Sequence, residues 1–260
     1  QGLVVTDGLE MHGIVSRYGS GEAAVRAIEA GADMVLILWT VEKKNEVHNA
    51  LKKAVREKRI SEQRLHESLR RILTVKKRRG ILNQKLLPVS QTLTKLKKGK
   101  HRFVVQKIAQ KALTLVANPD QVMPLSKTRK VLVASTEPTF MNTIVKSIPD
   151  TKTVRLRLGA SAKRKNTLAK QIVASAAHAE IFVLGLLNAD YVHVAQAVRN
   201  AYPGKPIIVV SFGSPFLKNH LPENIGYVCA YGFRRASEVA AAEVLLGARE
   251  AEGQLPVKLE

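Results

Sequence analysis

The sequence predicts an α/β fold on three observations. Short apolar, β-branched runs recur at 3–6, 34–38, 130–134, 153–158, 181–186, 207–212 and 227–230. Stretches with helical spacing of apolar positions separate them. Hydrophobic residues make up 45% of 260 positions, enough to bury a sizeable core in one large or two modest domains.

Taken in order, 3–6 reads as a strand, 22–29 as a helix, 34–38 as a second strand, and 41–58 and 61–79 as two further helices. Thr40 and Ser61 are suited to cap those helices, and Gly31 and Gly80 to stop the segments before them. The stretch 83–99, with Pro88, Ser90, Thr92 and Thr94, is less regular and reads as a linker, after which a helix over 102–112 leads into a second domain. There the strands, with a short terminal one near Val257, alternate with helices at 140–147, 163–177, 192–200, after Pro215, and at 237–246. That cadence is expected of a parallel sheet covered on both faces. Ser214 before Pro215 places a capping hydroxyl ahead of a residue suited to the first helical turn.

The first strand ends in a lone carboxylate, Asp7, followed by Gly8. In a parallel α/β protein the carboxyl ends of strands are where loops gather and reacting groups are displayed, so Asp7 is a candidate catalytic residue. Asp before Gly is also an ordinary turn signal, and capping a turn or the next helix is the competing role.

Val5-Thr6-Asp7-Gly8-Leu9-Glu10-Met11 resembles the nucleophile segment of the β-N-acetylhexosaminidases of glycoside hydrolase family 3. The β-glucosidases of that family usually have Trp after the nucleophile, where this chain has Gly8. Ala30-Gly31-Ala32-Asp33-Met34-Val35-Leu36-Ile37 is similar to the family's last barrel strand. The run from Arg59 to Leu73 resembles the helix that leaves the barrel, and Lys77-Arg78-Arg79-Gly80-Ile81-Leu82 its ending. Val210-Ser211-Phe212-Gly213-Ser214-Pro215-Phe216-Leu217 and Gly253-Gln254-Leu255-Pro256-Val257 are similar to segments of the second domain.

The resemblance implies the last two strand–helix units of a (β/α)8 barrel at 1–82, a linker and connecting helix at 83–112, and an α/β/α sandwich at 113–260. A complete barrel takes about 250 residues, so the chain reads as beginning inside strand seven. It starts with Gln1 and shows no signal-peptide pattern, which reads as truncation or processing. The resemblance also implies that Asp7 is the nucleophile, that Met11 and His12 shape the sugar pocket, and that the substrate is an amino-sugar oligosaccharide derived from cell wall or chitin. No metal or organic cofactor is implied, and an extracytoplasmic or cell-envelope location is favoured. The branch's acid/base histidine, its partner aspartate and its sugar-binding Lys, Arg and His lie on earlier barrel loops with no counterpart here.

Retaining hydrolysis needs a second group to protonate the leaving oxygen, about 5 Å from the nucleophile in the two-carboxylate case. This chain alone is therefore expected to be inactive and to depend on an N-terminal barrel segment. With the other barrel units absent, Leu3, Val5, Val35 and Ile37 are expected to lack neighbours.

No apolar run approaches the roughly 20 residues of a membrane-spanning helix. The single cysteine, Cys229, excludes an internal disulfide and, set in an apolar run, reads as an inert core thiol. The net charge of +21 suggests an anionic partner. Residues 51–111 hold twenty of the 42 Lys and Arg against three acids, and much of this excess fits solvated helix faces and cationic last turns. Few aromatics interleave, which argues against nucleic acid. The rival function is a non-catalytic polymer-binding module using the basic helices and the second domain.

Other motifs carry less. Gly19-Ser20-Gly21-Glu22-Ala23-Ala24 fits the dinucleotide-binding pattern G-x-G-x-x-A but follows no strand directly, and reads as a loop and helix start. Ser211-Phe212-Gly213-Ser214 lacks the glycines of a nucleophile elbow. The seven histidines show no metal-ligand spacing. Asp190 and His193 read as a helix-start acid and a surface residue. Asp33, at the amino end of its strand, reads as a stabilising hydrogen-bond acceptor.

Overall fold

A computed structural model describes residues 2–83, 88–95 and 99–259. The chain divides into two compact units, Gln1–Val89 and Ser90–Glu260.

In the first unit, β1 (Val5–Gly8) and β2 (Met34–Leu36) pair in parallel, with Val5 opposite Met34 and Gly8 opposite Leu36. Between them runs α1 (His12–Glu29), and after β2 come α2 (Val41–Arg56) and α3 (Glu62–Arg78). The strand begins and ends two residues later than the sequence pattern suggests, so Asp7 lies within it. Helical structure starts at His12, well before the expected 22, because Met11 and Gly8 close the entering turn through their backbones. Gly19 (φ 69°, ψ 163°) interrupts α1, so Gly19-Ser20-Gly21 is a break followed by a helix restart. Thr40 and Ser61 cap α2 and α3 by accepting from Lys43 N and Arg64 N.

Packing in this unit rests on close approach. An added Cβ on Gly21 would stand 3.1 Å from Ala50 Cβ, so α1 and α2 meet where side chains are smallest. Leu9, Ala23, Ala24 and Val47 form one apolar cluster, and Val25, Ala54 and Ile60 another. Val5 is exposed, and Leu3, Val35 and Ile37 are partly buried.

Of the expected linker, residues 84–87 and 96–98 lie outside the described residues, as does Gln1. The remainder contains a helix, α4 (Val89–Lys95), and α5 (Gly99–Ala112) starts three residues earlier than expected. The second unit then adds β3 (Thr114–Ala117), which the pattern did not reveal. After it follow β4 (Val131–Ser135), α6 (Pro138–Ser147), β5 (Lys152–Arg155), α7 (Ala162–Ala176), β6 (Ile181–Leu186), α8 (Val192–Ala201), β7 (Ile207–Ser211), β8 (Gly226–Cys229) and α9 (Arg235–Leu245). The residues after Pro215 form a short 3-10 helix capped by Ser214.

The six strands lie in the order β3-β8-β7-β6-β4-β5, all neighbours parallel except β3 with β8. Alternate strand residues separate to two apolar clusters. Val131, Val133, Val183, Ile208 and Val228 pack with Phe140 and Ile144 of α6 and Ala241 and Leu245 of α9. Leu132, Phe182, Leu184, Val209 and Cys229 pack with Ile172 of α7 and Val194 of α8. Central strands buried on both faces explain their unbroken apolar character. The expected strand near Val257 does not form; instead, upstream of it, the Gly253 amide donates to the Leu113 carbonyl just before β3.

Candidate functional site

Asp7 stands at the carboxyl end of β1 with an exposed side chain, and its Oδ1 accepts the Gly8 amide at 2.7 Å. That bond fixes one carboxylate oxygen and leaves the other facing solvent. Met11, 48% exposed, takes the N-cap position of α1 without a side-chain cap, and His12 opens the helix with an exposed ring. All three residues thus belong to one strand end and its following turn. Among the described residues, no hydrogen bond or ion pair joins the Asp7 carboxylate to His12 or to any other side chain.

The residue that organises this end of the unit is Glu10, which the sequence pattern gave no reason to single out. Its carboxylate is only 8% exposed and accepts from Leu38 N (Oε2, 2.7 Å) and Trp39 N (Oε1, 2.9 Å). Burial pushes its pKa up, but the amides of Leu38, Trp39 and Thr40, with Lys44 nearby, outweigh it and hold the group below the ordinary value. Leu9 N also donates to Leu36 O, so the turn after β1 is laced to the end of β2. Both strand ends therefore present their loops on the same side.

Asp33 sits at the other end of β2, fully enclosed. Its oxygens accept from Val4 N (3.1 Å), Ser68 Oγ (2.8 Å) and Arg71 Nη1 (2.8 Å), with Arg64 Nη1 at 3.5 Å. This is a clasp between strand and helix, remote in role from chemistry. In the second unit, Asp190 pairs with Lys165, while His193 stacks at 6.3 Å on the buried ring of Tyr191. Cys229 is buried and burial pushes its thiol up to about 11.

Among the described residues, no three His, Cys, Asp or Glu side chains gather as a metal site, and no helix is long and apolar enough to cross a membrane.

Comparison with known proteins gives a consistent result. Residues 1–75 match the family described as glycosyl hydrolase family 3 N terminal domain. A Cellulomonas fimi protein named beta-N-acetylglucosaminidase/beta-glucosidase is 31% identical over 134 residues, 51% of this chain and 23% of that protein. A family 3 β-N-acetylglucosaminidase from Paenibacillus sp. str. FPU-7 superposes with a TM-score of 0.78 at 29% identity, over 99% of this chain and 51% of that one. A fungal multi-domain β-N-acetylglucosaminidase shares the fold, with a TM-score of 0.68 at 20% identity over 99% of this chain and 31% of its own. The chain thus spans about half the length of the Paenibacillus enzyme, and its match covers about a quarter of the Cellulomonas protein. The matched first segment and the superposition agree: residues 1–75 match the N-terminal domain of glycosyl hydrolase family 3, and the chain is similar to β-N-acetylglucosaminidases of that family.

Proposed function

We propose that this chain supplies the nucleophile of a retaining glycosidase acting on terminal β-linked N-acetylhexosamine in oligosaccharides. The single observation carrying the reading is Asp7, solvent-facing at the carboxyl end of β1, in a segment that matches the family. In this reading residues 1–82 are the last two strand–helix units of a (β/α)8 barrel, 83–112 the linker and connecting helix, and 113–260 an α/β/α sandwich.

The Asp7 carboxylate attacks the anomeric carbon as the bond to the leaving oxygen breaks, and an acid/base group protonates that oxygen. The same group then deprotonates a water, which attacks the anomeric carbon, releases the sugar and restores Asp7. Met11 and His12 border the sugar. The acid/base group comes from polypeptide outside this sequence. Supporting this is the half-length match to the Paenibacillus enzyme.

The test assays an aryl N-acetylglucosaminide with the chain alone and with the N-terminal polypeptide added in trans. Turnover is expected only in the mixture, with a fluorinated glycosyl donor leaving a covalent adduct on Asp7. Asp7→Asn should lower kcat/KM by about 10³-fold or more, the scale of removing a reacting group. Turnover by the isolated chain would overturn the division of labour. Full activity in Asp7→Asn would overturn the assignment of the nucleophile.

A further inference from the structure

Trp39 is the single tryptophan of the chain and is 71% exposed, an uncommon setting for so large an apolar ring. Its backbone is nonetheless held on both sides. Glu10 accepts its amide at 2.9 Å and the preceding Leu38 amide at 2.7 Å, while Thr40 caps α2 by accepting from Lys43 N at 3.2 Å. Glu10 itself follows Asp7 by three residues, so one short turn connects the candidate nucleophile to the anchor of the indole. Leu38 and Val41, its neighbours in sequence, are exposed as well.

A buried carboxylate that fixes the backbone of an exposed indole sets an apolar plate on the loop after β2, a loop tied through Glu10 to the turn that follows Asp7. That surface complements a pyranose, whose C–H face is apolar and whose hydroxyls project from the rim. We propose that Trp39 is a stacking platform for a sugar ring of the oligosaccharide substrate on its leaving-group side, and that Glu10 is the positioning residue that holds it. The side assignment rests on the reading of Asp7 as nucleophile; the platform itself rests on Glu10 and the loop after β2, both within this chain.

Because Trp39 is the only indole, its emission reports this site alone. Titration of the chain with chitotetraose should shift and saturate that emission. By calorimetry, Trp39→Ala should bind about tenfold more weakly, equivalent to about 1.4 kcal/mol, whereas Trp39→Phe retains most of the affinity. Glu10→Gln presents an amide N–H group where an acceptor is needed, so acrylamide should quench Trp39 more readily and affinity should fall several-fold while the helical content stays unchanged. An emission unmoved by chitotetraose, with equal affinity in Trp39→Ala, overturns the platform; such an emission already shifted to the blue would instead show protein covering the ring. The two readings fail separately: an adduct on Asp7 without an emission response removes the platform alone, and an emission response without an adduct removes the nucleophile alone.

Discussion

Asp33 shows how one buried carboxylate can fix a small unit. Burial pushes its pKa up, but the Val4 amide, the Ser68 hydroxyl and the Arg71 guanidinium overcome this and hold it at about 2. A carboxylate with a folded pKa below its unfolded value of about 3.9 contributes stability that is complete above about pH 4 and is lost as pH falls through about 2. Asp33→Asn leaves two guanidinium groups facing a neutral amide and should cost about 3 kcal/mol at neutral pH. Urea unfolding followed by circular dichroism should show that gap narrowing steadily as pH is lowered towards 2. The role of Asp33 was legible because an acid at the amino end of a strand, after Gly31, has little other use. Glu10 was not legible: nothing in Leu9-Glu10-Met11 announces that the carboxylate turns inward to meet the amides of Leu38 and Trp39, 28 and 29 residues away. Such a bond exists only once two strand ends lie side by side.

Among elements, legibility followed length and regularity. Central strands such as β6 and β7, buried along their whole length, were readable as apolar runs with glycine and polar residues at their borders. β3 was missed because Thr114-Leu115-Val116-Ala117 is short, continues the apolar character of α5, and owes its strand form to antiparallel pairing with β8, far along the chain. The early start of α1 was missed because Met11 offers no capping side chain.

The turn after β7 yields a sharper test of packing. A Cβ on Gly213 would lie 2.1 Å from the Leu187 carbonyl oxygen, and backbone cannot swing aside as a side chain can. Gly213→Ala should therefore destabilise the second unit by about 1–3 kcal/mol. Gly204→Ala, with open space around the added methyl, should be close to neutral. Thermal melts of the two variants decide this.

At the scale of the molecule, the two units differ in how much they bury. The second holds a six-stranded sheet with two large apolar clusters, whereas the first has two paired strands and small clusters, with Val4, Val5, Leu38 and Trp39 exposed. Limited proteolysis should cut within residues 1–89 before the sheet of the second unit is touched. Cys229, buried and poorly ionised, should resist iodoacetamide at pH 8 in the native protein and react only when that sheet opens. Early modification of Cys229 without unfolding would contradict its enclosure.

The edge strand β5 carries Lys152 and Arg155 along a border that no other strand covers among the described residues. Two copies meeting there would bring cation against cation before any ladder could form, and the surplus of +21 deepens that repulsion. The mixed sheet thereby guards its β5 flank against serving as the template for a fibre.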